Sequence, residues 1–217
     1  MLGRYPFIEP SRCKTRDEGE AQLAVILDAG VTAFVCLQAE LPPQADLPVG
    51  GQGGFLPYRP TVTLMASARS GPPSLEVLDG LRNPYLDQFL PGRRKPDRHA
   101  GDAAHVAAAA ERARVTVDFG HCPIPDLGVP NLEALETVVA DLTRRLKAGQ
   151  VVYLHCWGGR GRAGTVGACV VGRLYGLRGE EALARTDRAL STREDTGRSP
   201  ETEEQRALVT AFLAGKA

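Results

Sequence analysis

The stretch VVYLHCWGGRGRAGT, residues 151–165, decides the fold. It opens with an apolar, β-branched run that stops at His155 and Cys156, as a buried strand does at its end. Glycines at 158, 159, 161 and 164 follow, and they predict a tight loop whose backbone N–H groups converge on an anion. The apolar pattern then resumes as a buried helix, so the stretch predicts strand, loop and helix with one thiol at the start of the loop.

An arginine completes this loop. Arg162 lies six positions after Cys156, and its planar guanidinium group matches two phosphate oxygens at once. Loop N–H groups and the N-terminus of the next helix are expected to stabilise Cys156 as a thiolate, which is the nucleophilic form. The predicted chemistry is phosphoryl transfer to cysteine. The alternative, a buried core cysteine beside a glycine-rich turn, leaves the arginine and the glycine density unexplained.

A second motif offers the proton donor that such a reaction needs. In GHCPIPDLGVPN (120–131), prolines stiffen a loop that presents Asp126 thirty residues before Cys156. We expect Asp126 to protonate the leaving oxygen and then to accept a proton from the hydrolytic water. An ordinary turn aspartate beside proline is the alternative, and His121 and Cys122 are expected to pack in the loop.

The rest of the chain predicts an α/β fold with a central, mainly parallel, twisted sheet flanked by helices. Helices are expected at 16–30 and 131–149, and strands at 31–38, 61–66 and 115–120. We expect one phosphatase domain over 1–217, with an insertion or elaborated loop region around 49–100 that is rich in proline and glycine at its start.

Composition narrows the function classes. The 26 basic residues equal the 26 acidic ones, which gives no reason to expect a nucleic-acid partner. Apolar runs are too short for a membrane span. The five cysteines are scattered, and no Cys/His pair has zinc-ligand spacing, so no metal site and no disulfide scaffold are expected. A cytoplasmic location is expected, with a nuclear location and a trimmed transit peptide left open.

HCWGGRGRAGT (155–165) resembles the phosphate-binding loop of the cysteine-based protein tyrosine phosphatases, within them the dual-specificity group. PIPDLGVP (123–130) resembles the general-acid loop of that family. The segments 10–20, 23–42 and 199–212 are similar to kinase-associated phosphatases that act on cyclin-dependent kinases, so the resemblance covers most of the chain outside 49–100. It implies a protein tyrosine phosphatase-like (dual-specificity) fold, no cofactor, and a phosphorylated protein substrate, with a protein kinase as one candidate.

The resemblance also implies roles for individual residues. Cys156, Arg162 and Asp126 would be the nucleophile, the phosphate-binding cation and the general acid. Trp157, Gly158, Gly159, Arg160 and Gly161 would complete the phosphate-binding loop. Three residues would support it: His155 orients the loop, Glu40 holds Arg162 by a charged hydrogen bond, and Gln205 places the hydrolytic water. The oligomeric state is not indicated.

One position departs from the family pattern. Serine or threonine usually follows the loop arginine and stabilises the departing thiolate, whereas here Ala163 stands there and the first hydroxyl is that of Thr165. Either Thr165 substitutes or this help is absent. A lost hydrogen bond to a charged group costs roughly 1.5–3 kcal/mol, so breakdown of a phosphoenzyme is expected to be slow.

The sequence therefore predicts a phosphoprotein phosphatase that hydrolyses phosphotyrosine, and by extension phosphoserine or phosphothreonine, through a cysteinyl-phosphate intermediate. Two alternatives stay open. A phosphoinositide or other small-molecule phosphatase is favoured by the extra cation Arg160 and opposed by Trp157. A phosphate-binding module with little turnover is favoured by Ala163 and opposed by the intact set of catalytic residues.

Overall fold

A computed structural model of the chain describes residues 1–69, 116–193 and 197–215. Within these ranges four parallel strands form one sheet in the order β1–β4–β2–β3. The strands are β1 (Leu2–Gly3), β2 (Ala33–Gln38), β3 (Asp118–Ile124) and β4 (Val152–His155). The helices are α1 (Arg16–Asp28), α2 (Arg59–Ala68), α3 (Leu132–Lys147), α4 (Gly161–Tyr175), α5 (Gly179–Leu190) and α6 (Glu203–Ala214). The predicted α/β class with a parallel sheet is confirmed.

The two central strands are buried on both faces. Because side chains alternate along a strand, Val35 and Leu154 enter one core with residues of α3 to α6. Their neighbours Phe34 and Tyr153 enter a second core with residues of α1 and α2. Burying each such side chain contributes about 1.5–3 kcal/mol, so the sheet with helices on both faces is the rigid frame of the molecule.

Local signals account for the helix ends. Thr15 and Glu18 form a reciprocal capping box at the start of α1, and the Asn131 side chain accepts a hydrogen bond from the N–H of Ala134 at the start of α3. Gly30 and Gly176 follow α1 and α4 with φ of +79° and +64°, a conformation that glycine adopts without steric cost. These helices lie where the sequence predicts them.

Two predicted strands differ from the structure. The strand at 61–66 is wrong, because this segment belongs to helix α2. Pro60 suits the first turn of a helix, and the buried residues Val62 and Ala66 are four positions apart, as on one helix face. The strand at 115–120 begins later and continues to Ile124, through the Pro123 that was expected in a loop.

Pro123 fits there because β3 pairs with β2 alone within the described sheet. An edge strand tolerates a residue without an N–H donor, and the β2–β3 register shifts between Cys36 and Gln38 next to the proline. Residues 70–100 of the predicted insertion lie outside the described ranges. The single domain with an elaboration at 49–100 therefore stays a prediction.

Candidate active site

Three parallel strands end at the same edge of the sheet, and a candidate site residue follows each of them. Glu40 comes after β2, Asp126 after β3 and Cys156 after β4. At this edge lies a cavity of about 330 Å³, named here the Cys156 cavity. Its lining residues are Arg4, Glu9, Ser11, Arg12, Asp126, Leu127, Cys156, Trp157, Gly158, Arg160, Gly161, Arg162 and Glu201.

The thiol of Cys156 lies within the loop between β4 and α4. Cys156 is buried, and the N–H of Gly159 donates a hydrogen bond to its sulfur at 3.3 Å. Helix α4 begins two residues later at Gly161, so the positive end of the helix dipole faces the same point. Gly159 has φ +72°, and a Cβ atom there would lie 2.2 Å from the carbonyl group of Gly3. Only glycine therefore fits this turn of the loop.

Arg162 is the cation of the site, with 2% of its side chain exposed. Its Nη1 and Nη2 atoms donate to both carboxylate oxygens of Glu40 at 2.6 and 3.0 Å, and Nη1 also donates to the carbonyl oxygen of Ile124 at 3.2 Å. Burial alone would lower the pKa of Arg162, but the hydrogen bonds to Glu40 and the nearby negative groups outweigh it and raise that pKa. The guanidinium group is thus held charged in one orientation.

Asp126 also lines the Cys156 cavity. Its Oδ1 atom is 2.9 Å from Nη2 of Arg162, and 59% of its side chain is exposed. The loop that carries it turns through a hydrogen bond from Gly128 N–H to the carbonyl oxygen of Pro125, and Leu127 adopts φ +56°. This position brings the carboxyl group into contact with the Arg162 guanidinium group inside the Cys156 cavity.

Gln205 connects this loop to α6. It is fully buried, and its Nε2 atom donates to the carbonyl oxygen of Gly128 at 3.1 Å. Its Oε1 atom accepts from the N–H groups of Glu201 and Thr202 at the start of α6. The amide also lies against Gly161, where a Cβ atom would be 3.1 Å away. These contacts fix the Asp126 loop, while placement of water by Gln205 stays a prediction.

His155, which directly precedes Cys156 in the chain, is fully buried. Its Nε2 atom lies 2.8 Å from Oη of Tyr58, and Nδ1 lies 3.4 Å from the carbonyl oxygen of Cys156. A carbonyl can only accept, which assigns the proton to Nδ1 and leaves Nε2 to accept from Tyr58. Burial lowers the pKa of His155 to about 3. The imidazole is therefore neutral near pH 7, while its role in orienting the loop stays a prediction.

Thr165 uses its hydroxyl within the helix. The Oγ1 atom donates to the carbonyl oxygen of Gly161 at 2.9 Å, and a hydroxyl has a single proton to donate. Ala163 is fully buried in the core that also contains Cys156. The single hydroxyl proton of Thr165 is therefore used by the backbone. It is not directed at Cys156, where the sequence left open that Thr165 could replace the usual serine or threonine hydroxyl.

The two variable loop side chains each have an acidic partner. Trp157 Nε1 donates to Oε2 of Glu9 at 2.8 Å. Arg160 forms an ion pair with Glu201. The sequence predicted both loop positions and neither partner. Glu9 is buried, and its carboxylate also accepts hydrogen bonds from Ser11. Burial by itself would raise the pKa of Glu9. The hydrogen bonds from Ser11 and Trp157 outweigh burial and lower that pKa.

Further residues around the cavity carry no local sequence signal. Glu9 and Ser11 arrive there because the short strand β1 pairs with β4, which places the segment after it at the same edge. Arg193 reaches the loop from beyond α5, and its guanidinium group donates to the carbonyl oxygens of Gly158 and Gly159 at 3.0 and 3.2 Å. With both carbonyls turned outward, the N–H groups of the loop face the cavity.

Within the described ranges, no group of three or more His, Cys, Asp or Glu side chains is placed to hold a metal ion. All five cysteines are free thiols. Among the helices that the structure describes, none combines the length and apolar character of a membrane span.

Sequence comparisons find similarity to known proteins. Residues 104–209 match a family model described as PTP-SAK, Swiss Army Knife protein, DSP-PTPase phosphatase domain. Over 51 residues the chain is 37% identical to Cyclin-dependent kinase inhibitor 3 of Rattus norvegicus, which covers 24% of either protein. The alignment thus spans about a quarter of that relative's length.

Two solved structures are similar to this chain, and the first of them supports the same fold. Kinase associated phosphatase, with its catalytic-site cysteine substituted by serine, has a TM-score of 0.50 and 16% identity, covering 99% of this chain and 86% of that one. Tk-PTP in its active form has a TM-score of 0.48 and 22% identity, covering 91% and 87%. The family model matches just under half of the chain, and the matched residues include both the Asp126 loop and the Cys156 loop. This part of the chain is therefore similar to phosphatase domains of the dual-specificity group of protein tyrosine phosphatases.

Proposed function

We propose that this protein is a phosphoprotein phosphatase that hydrolyses phosphotyrosine, and by extension phosphoserine or phosphothreonine, through a phosphate ester of Cys156. One observation carries the proposal: the Cys156 sulfur, the Arg162 guanidinium group and the Asp126 carboxyl group line a single cavity. These are a nucleophile, a cation and an acid, and phosphate-monoester hydrolysis needs all three.

In the first step the Cys156 thiolate attacks phosphorus and the bond to the leaving oxygen breaks. Asp126, protonated, gives its proton to that oxygen, and the alcohol or phenol departs. The N–H groups of the loop, the N-terminus of α4 and the fork of Arg162 stabilise the phosphoryl oxygens. A bound phosphate would compete with Asp126 for Nη2 of Arg162, which lies 2.9 Å from Oδ1, and so release the carboxyl group towards the leaving oxygen.

In the second step water attacks the cysteinyl phosphate. The Asp126 carboxylate accepts one proton of the water, phosphorus transfers to the water oxygen, and the Cys156 thiolate departs. Inorganic phosphate leaves and the free enzyme returns with Asp126 protonated. The ring of N–H groups that receives the thiolate includes that of Gly159.

The partners of the variable loop residues support a phosphoprotein over a polyanionic lipid. Arg160 is paired with Glu201, and Trp157 is fixed by Glu9, so the extra cation on which the phosphoinositide alternative depends is already neutralised. That alternative keeps some support because Arg4 and Arg12 also line the cavity. Similarity to kinase-associated phosphatases makes a phosphorylated protein kinase a candidate substrate.

The test is hydrolysis of a small aryl phosphate by the wild-type protein in the presence of a chelator, beside Cys156→Ser and the matched change Cys122→Ser. We expect chelator-resistant turnover in wild type and Cys122→Ser and none in Cys156→Ser. Mass spectrometry after a rapid acid quench should find phosphate on Cys156. Binding of phosphate without turnover would overturn the proposal and favour the phosphate-binding module. Faster turnover of a phosphoinositide than of phosphopeptides would favour the lipid phosphatase.

A further inference from the structure

The segment 197–201 contacts both the main chain and the side chain of Arg160 in the phosphate-binding loop. The Ser199 hydroxyl donates to the carbonyl oxygen of Arg160 at 2.8 Å, and the Glu201 carboxylate pairs with its guanidinium group. Gly197 leaves the space for this side chain, because a Cβ atom there would lie 2.9 Å from Nη1 of Arg160. The main chain and the side chain of Arg160 are thus both held by one segment.

Glu201 is fixed in turn. Its N–H group donates to Oε1 of Gln205 at 3.0 Å, next to the start of α6. A Cβ atom at Gly161 would lie 3.2 Å from its Oε2 atom, so the carboxylate packs closely against the phosphate-binding loop. The side chains of Arg160 and Glu201 are each about one-third exposed, at 33% and 31%, and both line the Cys156 cavity.

This pairing has a consequence for substrate choice. An unopposed arginine at the rim of the loop would attract a second phosphate or another anionic group beside the one being hydrolysed. Glu201 instead forms an ion pair with the guanidinium group of Arg160 and places a negative charge next to it. A second anionic group on the substrate therefore meets repulsion from the carboxylate and must displace an existing ion pair to reach the cation.

We propose that Glu201 is a specificity-determining residue that restricts the Cys156 cavity to phosphate monoesters without a second anionic group near the reacting phosphate. The inference rests on the proposed phosphatase function and adds the substrate class to it. Phosphotyrosine flanked by neutral residues belongs to the accepted class, whereas doubly phosphorylated peptides and inositol polyphosphates belong to the excluded one.

The test compares two matched peptides, one with phosphotyrosine alone and one with an additional phosphothreonine next to it. For each peptide, kcat/KM is measured for release of phosphate from tyrosine. The readout is the value for the doubly phosphorylated peptide divided by the value for the singly phosphorylated one. In Glu201→Gln this ratio is expected to rise about 5- to 10-fold over wild type at low salt, since the released arginine forms a charge-assisted bond at a partly exposed position. The gain should shrink as salt is added.

Glu204→Gln is the matched control, because it removes the same charge from an exposed position on α6 outside the cavity. Its ratio should equal that of wild type. In the double variant Arg160→Met/Glu201→Gln the gain should disappear, since the cation responsible for it is gone. An unchanged ratio in a folded Glu201→Gln protein would overturn the inference.

Glu201→Ala tests the same point should Glu201→Gln fail to fold. It also removes the carboxylate and keeps the Arg160 cation, so the ratio should rise as it does in Glu201→Gln. An unchanged ratio in a folded Glu201→Ala protein would likewise refute the inference. Wild-type turnover of the aryl phosphate with equal ratios in all variants would reject the inference alone, whereas no wild-type turnover would reject the phosphatase function itself.

Discussion

Glu40 holds Arg162 with both of its carboxylate oxygens, at 2.6 and 3.0 Å, although 122 residues separate them in the chain. The contact arises because β2 and β4 are parallel neighbours that end at one edge of the sheet. It leaves the arginine fork in a fixed plane, so that recognition of a phosphate would require little reorganisation.

Glu40→Gln should therefore weaken phosphate recognition. A charge-assisted hydrogen bond contributes about 1.5–3 kcal/mol, and we expect kcat/KM to fall by about 10- to 100-fold on that basis. Competitive inhibition by inorganic phosphate should weaken in parallel, which a purely structural role would not require. The exposed Glu204→Gln is the control. Unchanged inhibition by phosphate in a folded Glu40→Gln protein would contradict the positioning role.

Local patterns predicted the central part of the site. The run from β4 through the glycine loop into α4 is contiguous, so the sequence alone places Cys156 at the end of a buried strand and Arg162 at the start of the following helix. The expectation that Glu40 lies by the arginine came from family resemblance, and the structure brings the two together. The positions of Asp126 and Gln205 likewise depend on parallel strands that end together and on the cap of α6.

The missed features share a different cause. Strand β1 has two residues, too few for a hydrophobic period. Its pairing with β4 nevertheless places Glu9 beside the phosphate-binding loop, where Glu9 contacts Trp157, 148 residues later in the chain. Arg160 and Glu201 are 41 residues apart in the chain, and no hydrophobic pattern predicts that they pair. Polar pairs between loops follow from the completed fold, and composition or periodicity cannot specify them.

Asp126→Asn should separate proton donation from phosphate binding. General acid catalysis contributes about 10²- to 10⁴-fold, so kcat for alkyl phosphates should fall by that order, and less for an aryl phosphate whose phenol is acidic. Inorganic phosphate should inhibit about as strongly as in wild type, because the amide replaces a protonated carboxyl group and leaves Arg162 and the loop unchanged. Equal losses for all leaving groups would count against the acid role, and Asp46→Asn on an exposed turn is the control.

Arg193→Met tests the outward orientation of the loop carbonyls. It removes the donors to Gly158 and Gly159, and a typical hydrogen bond contributes about 0.5–1.5 kcal/mol. We expect phosphate inhibition and kcat/KM to weaken together, by about 5- to 20-fold. Arg188→Met at an exposed position of α5 serves as the control. A change in thermal stability with unaltered phosphate inhibition would assign Arg193 a structural role only.

His155 should make folding stability depend on pH. Burial lowers the pKa of His155 from 6.5 to about 3, so the unfolded chain binds a proton that the folded protein excludes. The free energy of unfolding therefore falls as the pH drops below about 6.5. One pKa unit corresponds to about 1.4 kcal/mol, which gives a loss of about 2 kcal/mol between pH 6.5 and pH 5.

The comparison with His155→Gln isolates this contribution from other titrating groups. Urea unfolding at both pH values should show a smaller loss of stability in the variant than in wild type, whatever the absolute stability of the variant. An equal loss in both proteins would mean that His155 titrates in the folded state as it does in the unfolded chain, against its burial beside Tyr58.

Ala163 should limit the second chemical step. The Thr165 proton is directed to the carbonyl oxygen of Gly161, so neither residue 163 nor residue 165 offers the departing thiolate a hydroxyl. We expect wild type to release a burst of phenol equal to the enzyme concentration and then to turn over slowly. Ala163→Ser should speed the steady state by up to about 10-fold, in line with a bond to a charged group of about 1.5 kcal/mol, and leave the burst rate unchanged.

Ala168→Ser adds the same hydroxyl at another buried position of α4, outside the Cys156 cavity. Its steady-state rate should match that of wild type, so that a gain in Ala163→Ser alone reports on the thiolate and not on the helix. Equal steady-state rates for Ala163→Ser and wild type would mean that the N–H group of Gly159 and the N-terminus of α4 already stabilise the departing sulfur sufficiently. In that case the missing hydroxyl would not control the rate, and a slow step would have to be sought in release of phosphate from Arg162.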